Sequence, residues 1–92
     1  MLSWYILQVL DTLIDGLNAI DTTSLSATDV AYKLSILEDI VTAFQAADTL
    51  MDKNQVAAIK QFVNNATRNV GVASSSVRIR QIRRKLYLVH FV

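Results

Sequence analysis

Apolar residues recur along most of this chain at alternating spacings of three and four, the period of a single helix face. Ile6, Leu10, Leu13, Leu17 and Ile20, widened by Val9 and Ile14, predict a helix over about 3–20. Ser3 can cap its start, and Gly16 inside it costs about 1 kcal/mol relative to alanine. The run Asp21-Thr22-Thr23-Ser24 ends it, because short polar side chains compete for backbone hydrogen bonds. A second stripe, Val30, Leu34, Leu37, Val41 and Phe44 with Ile40 beside it, predicts a helix over 26–47. Its start carries Ser26 as N-cap, Asp29 as the acidic third residue, and Leu25 and Val30 as a hydrophobic staple. Asp29 and Lys33 are expected to form an i,i+4 pair on its surface. The third stripe, Val56, Ile59, Val63, Ala66 and Val70 with Phe62, predicts a helix over 53–70. Asp52 is its expected cap, Gln55 the third-position partner, Met51 and Val56 the staple, and Gly71 the stop.

Beyond Gly71 the pattern supports one further element of either kind, helix or strand. Ser74-Ser75-Ser76 reads as a loop or cap, and Ile79, Ile82, Leu86 and Val89 fit a helical stripe. Val77 and Ile79 begin a strand-like alternation that Gln81 breaks, and residues 86–92 are apolar and rich in strand formers. A helix or a strand over about 76–90 is therefore expected. The fold class is all-α: a small bundle over 1–70, then a Ser-rich connector and a basic, apolar C-terminal element over 71–92.

Composition narrows the function. A chain of 92 residues builds one core. With no cysteine there is no disulfide framework and no thiolate chemistry. No proline and only two glycines argue against a strand-and-turn architecture. The lone His90, in an apolar tail, reads as a spectator. Asp11 with Asp15, and Asp48 with Asp52, lie at i,i+4, a spacing that can serve acid–base or metal chemistry. Nothing joins either pair, so both read as solvated surface, and no catalytic, cofactor-binding or metal site is expected. Trp4, Tyr5, Phe44 and Phe62 are read as core. The apolar opening over residues 1–10 has no basic residue before it and Asp11 and Asp15 after it, so neither a signal peptide nor a membrane span is expected.

Charge is segregated. Residues 1–52 hold all eight acidic side chains and one base, Lys33, whereas residues 53–92 hold eight bases and no acid. Five of those bases, Arg78, Arg80, Arg83, Arg84 and Lys85, crowd into eight positions and are candidate anion-binding residues. Two readings fit. The element can lie against the acidic helices and pair with Asp11, Asp15, Glu38 or Asp39. Alternatively it can meet nucleic acid or an anionic membrane, with Tyr87 and Phe91 at the interface. Asn65-Ala66-Thr67 is a glycosylation sequon, and Asn65 projects opposite the Val56–Ile59–Val63 stripe.

The segment Leu25-Ser26-Ala27-Thr28-Asp29-Val30-Ala31, followed by Leu34–Val41, a polar interval, a second capped helix and Phe62–Thr67, carries a further clue. Over about residues 20–70 it resembles the helical subdomain that opens the extracellular GAIN (autoproteolysis-inducing) domain of adhesion G-protein-coupled receptors. The resemblance implies an extracellular, non-catalytic scaffold or interaction module. Its partner would be the rest of a parent receptor or a second copy, with no small-molecule substrate. The family's self-cleavage tripeptide and β-rich subdomain have no counterpart here, so that activity is not carried over. Residues 71–92 depart from the family, and the expectation is a fragment whose arginine-rich end is either native or a truncated gene model.

Overall fold

The computed structural model describes residues 2–73 and 75–89, with side chains from Tyr5 onward. The described residues form four helices and no strand: α1 (Leu2–Asn18), α2 (Ala27–Ala47), α3 (Lys53–Arg68) and α4 (Val77–Tyr87). A single 3₁₀ turn, Asp48–Leu50, joins α2 to α3. Of the helix or strand expected over about 76–90, the helix forms. The Cα radius of gyration, 12.9 Å, is close to the roughly 12 Å of a compact domain this long. His90 and Phe91 lie outside the described residues, as does the Trp4 side chain.

Caps set the starts. The Ser26 hydroxyl accepts from the Asp29 N–H at 3.2 Å. The Asp29 carboxylate does not reach back to complete a box; it accepts from the Ser24 hydroxyl instead. At α3 both halves form, with Asp52 Oδ1 accepting from the Gln55 N–H at 2.8 Å and Gln55 Oε1 accepting from the Asp52 N–H at 3.0 Å. Ser76 caps α4 through a longer bond, 3.4 Å, to the Ile79 N–H. Asp52→Ala is therefore expected to cost about 1 kcal/mol, and Ser76→Ala clearly less, in urea melts of the two variants.

α3 ends at Arg68 with Asn69 as its C-cap, two residues before the expected close. Gly71 does not cap the helix directly. It adopts φ +97°, and a Cβ there would stand 3.0 Å from Leu25 and 3.2 Å from Val30. That left-handed backbone and close approach turn the chain toward α4. Leu25, expected to staple α2, stays largely exposed.

The core is built around α2, which packs against α1, α3 and α4. Leu34, Leu37, Ile40, Val41 and Phe44 are buried as the stripe predicts, and Ile36 and Ala47 join them. A helix with three neighbours must bury more than one stripe. Leu10 and Leu17 of α1, Val56 and Val63 of α3, and Val70 beyond it complete the first three sides. Ile79, Ile82, Leu86 and Val89 are all buried in the same core, so α4 closes the fourth. Tyr5, expected in the core, is exposed near the start of α1.

Candidate anion-binding face

The inward stripe of α4 fixes where its five bases point. With Ile79, Ile82 and Leu86 turned to the core, Arg80 and Arg84 fall on the outer face, and Arg78, Arg83 and Lys85 on the flanks. Each flank differs. Arg78 makes a bidentate contact with Glu38 of α2, its Nε 3.1 Å from Oε2 and a terminal nitrogen 2.8 Å from Oε1. Arg83 turns to α3 and donates to the Thr67 hydroxyl at 3.3 Å. Lys85 lends its backbone carbonyl to the Gln45 amide at 3.3 Å while its ammonium stays exposed.

Glu38 receives a base of α4 at ion-pair distance. Asp11, Asp15 and Asp39, considered as partners from charge alone, do not. The reason is topological: α4 packs on α2 and α3, and α1 docks mainly on α2. The hydrogen bonds from Arg78 hold the Glu38 carboxyl below its ordinary pKa, and Glu38 raises that of Arg78. A carboxylate with a depressed folded-state pKa contributes stability above its unfolded pKa, and loses it as pH falls through the folded value. Both side chains are substantially exposed, 42% for Arg78 and 37% for Glu38, so the pair is worth at most about 1 kcal/mol. Arg78→Gln should lower the melting temperature slightly at neutral pH. That difference should vanish in acid, below the carboxylate range.

What remains outward is a mixed face. Val77, Arg80, Arg84 and Leu88 follow one another at spacings of three, four and four, with Tyr87 beside them. Val77, Tyr87 and Leu88 are 58%, 59% and 67% exposed, and Arg80 and Arg84 are exposed with no carboxylate at ion-pair distance among the described residues. Arg80 and Arg84, at i,i+4, repel each other, which disfavours the helix unless its inner face is buried or an anion lies outside.

The other expected sites sit apart. Asn65 is exposed on α3, whereas Thr67 of the same sequon is fully buried, its hydroxyl donating to the Asn64 carbonyl at 2.8 Å. Asp11 and Asp15 are exposed on α1, and Asp52 is committed to its cap. Among the described residues no three His, Cys, Asp or Glu side chains gather as a metal site would need. None of the described helices is long and apolar enough to cross a membrane. Lys33 is also placed differently from its expectation. Expected beside Asp29 at the surface, it is only 4% exposed and donates to the Ser24 carbonyl at 2.9 Å.

No protein-family model matches the chain, and neither a curated protein nor a solved structure matches it. The resemblance of residues 20–70 to the GAIN helical subdomain thus gains no support from these comparisons.

Proposed function

We propose that this chain is a non-catalytic helical interaction module that docks on an anionic membrane surface through the outer face of α4. The observation that carries this reading is the interleaving of Arg80 and Arg84 with exposed Val77, Tyr87 and Leu88 on one helix face. Cations alone would suit any polyanion. Apolar side chains exposed between them suit a bilayer interface, where they leave water while the guanidinium groups stay among headgroup phosphates. Duplex DNA, the rival partner, offers the cations a phosphate backbone but gives Leu88 and Val77 no apolar phase to enter. The GAIN-like reading, an extracellular scaffold awaiting the rest of a receptor, concerns residues 20–70 and does not bear on this face.

Each base near an anionic surface is worth about 1 kcal/mol, so Arg80 and Arg84 together supply about 2 kcal/mol, or roughly thirtyfold in partitioning. Replacing both by glutamine should therefore abolish most binding to phosphatidylserine-containing vesicles while leaving far-UV circular dichroism unchanged. Vesicle co-sedimentation reads the loss. Retained binding in the double variant would remove α4 as the docking face.

A further inference from the structure

Lys33 opens a second site, on a lining to which α4 contributes no residue. A cavity of about 170 Å³ lies between the end of α1, the middle of α2 and the last turns of α3. Its floor is apolar, with Leu17, Leu37 and Val70 buried there, and Phe62 and Ala66 form a wall. Exposed amides, among them Asn65 and Asn69, stand at its mouth. Lys33 is the one ionisable side chain on this lining; no carboxylate shares it. A lysine ammonium carries three protons. One goes to the Ser24 carbonyl at 2.9 Å, and no other protein acceptor takes the remaining two among the described residues. Asp21, in the adjoining loop, lies outside the lining and accepts from the Thr23 hydroxyl at 2.7 Å and the Thr23 N–H at 2.9 Å; those bonds hold its carboxyl below its ordinary pKa, and the nearby Lys33 charge adds a smaller lowering.

A buried cation with spare donors, beside an apolar hollow free of acids, favours a ligand that is anionic at one end and apolar at the other. We infer that this cavity binds a small aliphatic carboxylate, its oxygens accepting from Lys33 Nζ and its chain against Leu17, Leu37 and Phe62. The cavity is several times larger than one water requires and takes a short aliphatic chain.

The test uses the whole chain and three six-carbon probes: hexanoate, hexan-1-ol and hexylamine. Amide chemical shifts in ¹H–¹⁵N spectra report binding at Lys33, Leu37 and Ala66. Hexanoate should saturate these shifts, at least about tenfold more tightly than hexan-1-ol, the worth of one hydrogen bond between charged partners. Hexylamine should leave them unmoved. Lys33→Met, which keeps the apolar stem, should bring hexanoate down to the level of the alcohol. Ala66→Leu, which fills the cavity, should abolish both. Equal binding of hexanoate and hexylamine to the unaltered chain, or no saturable shift with hexanoate, would overturn the assignment without recourse to either variant.

Discussion

Phe44→Ala should lower the stability of this domain by about 3–5 kcal/mol, from a total of about 5–15 kcal/mol for a fold of this class. Phe44 is the largest fully buried side chain among the described residues and sits on α2, the helix that every other described helix touches. Truncation removes its transfer free energy and leaves a cavity that helices fixed on three sides can only partly collapse. For a domain of about this length each kcal/mol moves the melting temperature by roughly 4–8 °C, so a fall of well over 10 °C is expected in a thermal melt. A variant melting within a few degrees of the parent would mean that α2 is not the centre of the core.

The second large effect is expected at the other end of the chain. Leu86→Ala should cost about 2–5 kcal/mol, because Leu86 is fully buried against α2 although it stands among arginines and a lysine. This substitution separates an integral fourth helix from a basic arm. An arm would give up its own helicity and leave the melting of the remainder unchanged. An integral α4 melts with α1–α3 in one transition, and urea melts followed by circular dichroism and by fluorescence should coincide and shift together. Two separated transitions would contradict the shared core.

Much of this arrangement is written in spacing. The first three apolar stripes and the Ser26 and Asp52 caps follow from local rules, since each depends on a neighbour within one or two turns. The helix over 77–87 was legible only as one of two choices. Isolated arginines at i,i+4 disfavour it, and what decides is the burial of Ile79, Ile82 and Leu86 on α2, a contact some 40 residues away in sequence. Lys33 and Thr67 were illegible for a related reason. A periodicity argument assigns a lysine to solvent and a threonine to a helix surface. Here three helices converge, so Lys33 threads inward to the Ser24 carbonyl and Thr67 is sealed between Asn64 and Arg83. The candidate face on α4 was half legible. Its five bases stand out in the sequence, but only packing separates Arg78, spent on Glu38, and Arg83, turned to Thr67, from the outward Arg80 and Arg84.

The proposal of a membrane-docking face therefore depends on two outward arginines acting together with three exposed apolar side chains. The measurement that tests it most directly is partitioning of the unaltered chain into vesicles of matched size, with and without phosphatidylserine, at low and at moderate salt, with duplex DNA in parallel. Binding to the anionic vesicles should exceed binding to the neutral ones by at least about tenfold and weaken as salt shortens the Debye length. Part of it should persist at moderate salt, because the contribution of Val77, Tyr87 and Leu88 is not screened. Equal partitioning into both vesicle types, or binding to DNA that is tighter than to anionic vesicles and disappears entirely with salt, would contradict it.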